Sequence, residues 1–304
     1  MSIDIPNYRI IEKIGVGANS RIFRARSMRN GQDYAVKLVK IVKPEDANLV
    51  EMLKTEHLVG SAVDHPAIRK VFELRLLRQR LRVRGAILFM EFVVGVPMAD
   101  KEFRRPLDEV LRLFSEVAVG LHAMHIGGFV HADIKPQNIL VMADSAVKII
   151  DLGQSARMYQ AKSRVQGTMD YVAPEQVQRR VLDPRTDVFG LGATLHRILT
   201  GKPIATEMNQ TVTVHSASLI GKRLTEMREA AMEHLPTCVS RIIQDCCGQD
   251  PDQRIPDMSG VIERLALART IVSRPAANGA AKLEENAVRY GAGHVEREGA
   301  SDSS

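Results

Sequence analysis

Residues 130 to 140 read VHADIKPQNIL. An acid, a lysine and an asparagine, Asp133, Lys135 and Asn138, stand close together there, with apolar residues on both sides. Asp133 can take a proton from a hydroxyl, and Lys135 can neutralise an anionic group in transfer. The amide oxygen of Asn138 is a hard donor suited to a divalent cation. Singly, each of these residues could be a capped turn or a surface charge, so the reading depends on what else the chain carries. In VKIIDLG, 13 residues beyond Asn138, Asp151 leaves an apolar run and enters a glycine-bearing segment, where it suits a second oxygen ligand.

Upstream, GVGANS spans Gly15 to Ser20. Glycines at 15 and 17 let the backbone approach a phosphate closely, and Ser20 stands where a third glycine is expected. In YAVK, Lys37 lies on a predicted strand between apolar Val36 and Leu38, and an inward lysine needs an anion. Glu56, on the following predicted helix, is the candidate countercharge.

The rest of the chain frames these segments. With 304 residues it exceeds what one core comfortably fills, and two lobes are expected. Composition is that of a globular protein, 45% hydrophobic and 26% charged. No run approaches the roughly 18–20 apolar residues of a membrane span, and MSIDIPNYRI lacks the basic-then-apolar pattern of a leader. Cys238, Cys246 and Cys247 make no CxxC pair and read as reduced thiols. The net charge is +6, and much of the excess lies in residues 69 to 84, RKVFELRLLRQRLRVR, with seven basic residues and one acid. The alternation of Arg78, Arg80, Arg82 and Arg84 predicts one solvated strand face. A docking patch for an acidic partner is the alternative; no aromatic residues interleave between Arg78 and Arg84 to stack bases, so no nucleic-acid partner is expected.

Periodicity divides the chain. YRIIEKIGVGANSRIFRARS reads as a hairpin, QDYAVKLVKIV as a third strand, and RGAILFMEFV as a buried strand running into a linker, VGVPM. Between them a helix is predicted through Leu49, Met52, Leu53 and His57. Leu107, Val110, Leu111, Phe114, Val117, Ala118 and Leu121 form one apolar stripe along a long helix. ILVM and VKIID are short strands, and helices dominate from 185. Beyond about 270 the chain is rich in Ala, Gly, Ser and charge and is read as disordered.

The order of glycine loop, strand lysine, helix glutamate, catalytic loop and metal-binding aspartate matches the protein-kinase signature. From about Tyr8 to Arg269 the chain resembles the eukaryotic-like (Hanks-type) serine/threonine protein kinases, bacterial members in particular. GTMDYVAPE, Gly167 to Glu175, looks like the substrate-docking end of an activation segment. DVFGLG, Asp187 to Gly192, is similar to the start of the helix that braces the catalytic loop. DPDQRI supplies Arg254, which by resemblance pairs with Glu175.

The resemblance implies an α+β bilobal fold: a small β-rich lobe over 1–93, a larger helical lobe over 94–270, and a tail or linker over 271–304. It implies transfer of the γ-phosphoryl group of ATP to Ser or Thr hydroxyls of protein substrates. Asp133 would then be the base and Lys135 the phosphate-neutralising residue, with Mg²⁺ or Mn²⁺ held by Asn138 and Asp151. Lys37, held by Glu56, would grip the α- and β-phosphates beneath Ile14, Gly15, Val16 and Gly17. Met90 would be the gatekeeper, the backbone of Glu91 and Val93 would meet the adenine edge, and Ile22, Ala35 and Leu140 would sandwich the ring. Lys135 together with Thr168 implies serine/threonine rather than tyrosine acceptors. Autophosphorylation at Ser163 or Thr168, a homodimer, and a cytoplasmic location, alone or as the cytoplasmic domain of a longer membrane-anchored protein, complete the expectations.

Two departures from the family pattern carry expectations of their own. Ala132 replaces the arginine that most members use to receive an activation-segment phosphate, so activity should not depend on that phosphate. Gly60 stands where the family has a large apolar residue stacking on Leu152. The helix bearing Glu56 is therefore expected to be loosely coupled, needing a partner, ligand or dimer to hold the Lys37–Glu56 pair. The alternatives are a nucleotide-binding pseudokinase or scaffold, and a small-molecule phosphotransferase, which would lack the docking segment.

Overall fold

A computed structural model of the chain describes residues 5–17, 20–162, 164–206 and 226–274. Its first part is a five-stranded antiparallel sheet: β1 (Tyr8–Val16), β2 (Ser20–Ser27), β3 (Asp33–Lys40), β4 (Val71–Gln79) and β5 (Arg82–Glu91). The order across the sheet is β1-β2-β3-β5-β4, and helix α1 (Ala47–Ala62) joins β3 to β4. Both faces of β3 are buried, so its sequence is nearly continuous in apolar residues rather than alternating. On one face Ala35 and Val39 pack with Leu88, Met90 and the α1 residues Val50 and Leu53. On the other, Val36 and Leu38 pack with Phe23, Ile87 and Phe89. The two-residue period places Lys37 on the α1 side, with Ala35 and Val39.

The second part is helical. Helix α2 (Leu107–Ile126) buries Val110, Leu111, Phe114, Val117, Ala118 and Leu121, as its stripe predicts. A short turn, α3 (Pro174–Val177), leads to α4 (Pro184–Thr200). Asp183 caps α4 by accepting from the Arg185 N–H, Pro184 occupies the first turn, and Gly201 at φ 69° ends it. Nearly every residue of α4 from Thr186 to His196 is buried, making it the central strut. Helices α5 (Thr237–Cys246) and α6 (Met258–Val272) close the core. Cys246 and Cys247 are buried free thiols, and burial pushes the Cys247 thiol up to about 11. Short strands accompany the helices in three small sheets: β6 (Val96–Pro97), β7 (Phe129–Val130), β8 (Ile139–Val141), β9 (Val147–Ile149), β10 (Ala156–Arg157), β11 (Gln160–Ala161) and β12 (Val181–Leu182). The α+β bilobal architecture is thus as expected.

Four local expectations change. VGVPM is not a plain linker, because Val96 and Pro97 pair with Val141 and Leu140. The four arginines do not share one strand face: β4 and β5 form a hairpin whose turn is Arg80–Leu81, with Arg78 opposite Val83 and Gln79 opposite Arg82. Helix α1 buries Val50, Leu53, Glu56, Val59 and Gly60, while Leu49, Met52 and His57 are only half-buried. At 100° per residue the two sets centre on the same face, whose deepest positions include Val50, Val59 and the charged Glu56.

The fourth change concerns Gly60, which leaves no gap. A Cβ there would lie 2.3 Å from Val71 Cγ2 and 3.4 Å from Leu152 Cδ1. The valine side chain fills the space, with Val71 and Leu152 both buried. The stack is completed from β4 rather than from α1, and the Lys37–Glu56 pair is formed within a single chain at 2.8 Å. The glycine-loop tip Ala18–Asn19, Ser163 and residues 275–304 lie outside the described residues.

Candidate active site

Strand β3 and helix α1 bring Lys37 and Glu56 together, and the chain after β9 adds Asp151. Lys37 Nζ donates to Glu56 Oε2 at 2.8 Å and to Asp151 Oδ1 at 2.9 Å. Burial alone would lower the lysine's pKa, but the two carboxylates outweigh it and hold the ammonium above its ordinary value. Burial would raise Asp151, yet Lys37, with help from Arg69 and Lys135, holds it down at about 2. Asp151 is therefore ionised at any working pH, as a cation ligand must be. It sits in the left-handed region at φ 62°, a conformation costing about 1–2 kcal/mol that persists where the surroundings over-determine it.

The catalytic-loop residues converge on one carboxylate. Asp133 Oδ2 accepts from Lys135 Nζ at 2.7 Å, and Oδ1 accepts from the Thr168 hydroxyl at 2.9 Å. Lys135 also donates to Thr168 Oγ1 at 2.8 Å. Asn138 Nδ2 donates to the Asp133 carbonyl at 2.9 Å and to Oδ2 at 3.3 Å. That commits the donor end of the Asn138 amide and leaves its oxygen for a cation. The Ile150 N–H donates to the Asn138 carbonyl at 2.9 Å, so Asn138 and Asp151 sit at the same end of the β8–β9 hairpin. One amide oxygen and one carboxylate are hard donors of the kind Mg²⁺ accepts. Among the described residues no group of three or more His, Cys, Asp or Glu could hold a metal ion.

Asp187 of α4 holds this loop from behind. Its carboxylate accepts from the backbone N–H groups of His131 and Ala132, both at 2.8 Å, and lies 2.8 Å from His125 Nε2. Burial raises its pKa, but the His125 hydrogen bond and the neighbouring histidines bring it below the usual carboxylate value. Ala132 is held at φ 61°, and its methyl group packs with Val130 and Leu182. Glu175 and Arg254 form the expected pair, two parallel bonds of 2.8 Å, buried under the docking segment.

The remaining nucleotide-site candidates line up as the sheet dictates. Ala35 is in register with Met90, and Ile22 with Lys37. Leu140 lies on β8, Glu91 ends β5, and Val93 follows it half-buried. Ile14, Gly15 and Val16 belong to the exposed end of β1, and the Gly17 N–H donates to the Ser20 carbonyl at 2.9 Å.

Two residues escaped the sequence reading. Arg69 Nη2 donates to Glu56 Oε1 at 2.7 Å, so the glutamate carries Lys37 on one oxygen and Arg69 on the other. The Arg69 N–H donates to the Ile149 carbonyl at 3.0 Å, fixing it to the strand that precedes Asp151. Its only sequence signal was its place among seven basic residues, which suggested a solvated face. Gln176 Nε2 donates to the Ala132 carbonyl at 2.8 Å and to the Gln166 carbonyl at 3.2 Å. It ties the docking segment to the catalytic loop beside the position that lacks the arginine.

This arrangement stands beside clear sequence relationships. The family model for the protein kinase domain matches residues 8–264. The serine/threonine-protein kinase PknB of Mycobacterium tuberculosis is 30% identical over 205 residues, 64% of this chain and 33% of that protein. PknA of the same species is 29% identical over 255 residues, 81% of this chain and 58% of that protein. A probable serine/threonine-protein kinase of Clostridium acetobutylicum is 24% identical over 277 residues, 85% of this chain and 39% of that protein. The chain thus spans about a third of the length of the PknB proteins it resembles. Matched along 8–264 by that model, the chain belongs to the protein kinase domain family.

Proposed function

We propose that this chain is a serine/threonine protein kinase, moving the γ-phosphoryl group of ATP to Ser or Thr hydroxyls of protein substrates. The observation that carries this reading is the convergence of Lys135, Thr168 and Asn138 on Asp133, beside the Lys37–Glu56–Asp151 chain. Asp133 Oδ1 has one donor, Thr168, while Oδ2 has three, from Lys135, Asn138 and Gln154. A carboxylate oxygen holds two lone pairs, so Oδ1 has one for an acceptor hydroxyl. The hydroxyl proton passes to Asp133, the acceptor oxygen bonds to the γ-phosphorus, and the bond to the bridging oxygen breaks, releasing ADP. Lys135 neutralises the transferring group and Lys37 holds the inner phosphates. Mg²⁺ bound at Asn138 and Asp151 supplies further charge neutralisation. Met90, Glu91, Val93, Ile22, Ala35 and Leu140 frame the adenine, with the lobe boundary at 93/94.

The test is incubation with γ-labelled ATP, Mg²⁺ and casein, followed by phosphoamino-acid analysis. Label on phosphoserine or phosphothreonine supports the reading, whereas nucleotide binding without transfer favours the pseudokinase. Ser163 and Thr168 are proposed autophosphorylation sites, and a homodimer and cytoplasmic action, where ATP is abundant, belong to the same proposal. Among the described residues no helix is long and apolar enough to cross a membrane.

Two results follow from the structure. The link through Gln176 does what a phosphate-bound arginine would do, so phosphatase-treated protein should keep activity within about threefold of untreated protein. An initial rate that vanishes until the activation segment is rephosphorylated contradicts this. Arg69→Met should raise the KM for ATP several-fold, because Glu56 loses one of its two anchors. Its melting temperature should fall, since removing one partner of a buried ion pair is destabilising, though Lys37 stays on Glu56 Oε2 and softens the loss. Arg69→Lys should recover part of the affinity. If KM is unchanged in both variants, the arginine has no positioning role.

A further inference from the structure

A cavity of ≈350 Å³ opens beside the catalytic loop, between the segment after β6 and the end of α4. Met98, Pro136 and Tyr171 contribute buried surface, and Lys101, Arg104 and Arg197 bring three cations. Pro136 follows Lys135 directly, and Tyr171 stands three residues past Thr168, so the cavity adjoins the place where the acceptor hydroxyl must sit. The single acid on its lining is Asp100, one of whose oxygens accepts from the Glu102 N–H. Among the described residues, none of the three cations forms an ion pair with a carboxylate, although neighbours such as Arg105 and Arg112 do. Among the described residues Arg104 reaches only the Phe103 carbonyl. The charge of Arg197 is felt at the Tyr171 phenol, where it opposes the rise that burial causes. An apolar floor under three uncompensated cations complements a side chain with a short stem and an anionic head.

We propose that this cavity is a specificity subsite for an acidic residue of the protein substrate, Asp or Glu, lying within about three residues of the acceptor. The reach follows from an extended peptide spanning about 3.3–3.6 Å per residue. The proposal deepens the kinase reading and rests on it for the meaning of the site, but binding can be measured without turnover. Exposed charge pairs are individually weak, and three together support about a tenfold preference over a basic residue. Repulsion of a basic residue adds to the discrimination.

The test is a position-scanned library of serine peptides with Asp, Glu, Ala or Lys at each flanking position. It is read both by phosphate incorporation and by fluorescence anisotropy of the labelled peptides. Wild type should favour acid over lysine about tenfold in kcat/KM and in affinity at one flanking position. In Arg197→Glu the ratio at that position should fall to one or invert, and Lys101→Glu/Arg104→Glu, on exposed positions, should shift it the same way. Thermal melting confirms that each variant is folded. No acid preference, or a preference unmoved in both variants, overturns the subsite. Acidic peptides that bind selectively but are never phosphorylated leave the subsite standing and overturn the kinase reading.

Discussion

Asp133→Ala is expected to lower kcat by about 10²–10⁴-fold, the usual worth of a positioned general base. KM for ATP should change little, because the proposed phosphate grip of Lys37, bonded to Asp151 at 2.9 Å, is left in place. The fold should survive. Removing the carboxylate frees Lys135 and Thr168, but those two still bond each other at 2.8 Å, and Asn138 keeps the carbonyl of residue 133 at 2.9 Å. Steady-state rates with varied ATP, beside a thermal melt, separate the outcomes. A variant that retains a tenth of wild-type kcat would remove Asp133 from the chemistry. One that unfolds would make its role structural.

The second large effect is on stability. Arg254 Nη1 and Nη2 bond Glu175 Oε1 and Oε2, the Thr186 hydroxyl adds 2.9 Å to Oε1, and the guanidinium lies 5.0 Å from the Phe189 ring centroid. Arg254→Leu leaves the Glu175 carboxylate buried with one neutral donor, and breaking a buried pair from one side costs about 3–5 kcal/mol. For a domain of this size that lowers the melting temperature by about 10 °C. The double variant Arg254→Leu/Glu175→Leu should regain most of the loss, since no unpaired charge is left behind. Calorimetry on wild type, both single variants and the double variant measures this directly. Equal losses in Arg254→Leu and the double variant would show that packing, and not the unpaired carboxylate, sets the cost.

Much of the site was readable before any fold existed, and the parts that were not share a cause. Lys37, Glu56, Asp133, Lys135, Asn138 and Asp151 stand in an order and spacing that short local segments preserve, and they form two bonded groups, Lys37–Glu56–Asp151 and Asp133–Lys135–Asn138. The face of α1 was legible, but that Val50 and Val59 fill it more deeply than Leu49 and Met52 was not, because sheet residues decide which positions are covered. Arg69 looked like one more surface charge because its meaning lies in a carboxylate 13 positions away. The arginine hairpin was misread because period-two alternation is the same on one strand as across a tight turn.

Ala132 and Gly60 mark the division most sharply. The sequence by itself determined that an arginine was missing before the base and that a large side chain was missing from α1, since both are statements about residue identity. Only the tertiary structure decided what each absence means. Val71 enters from β4 to fill the volume over Gly60, and Gln176 enters from α3 to hold the Ala132 carbonyl. Composition and spacing record which groups a chain owns. Which group occupies a given space is settled only when segments remote in sequence compete for it at close-packed density.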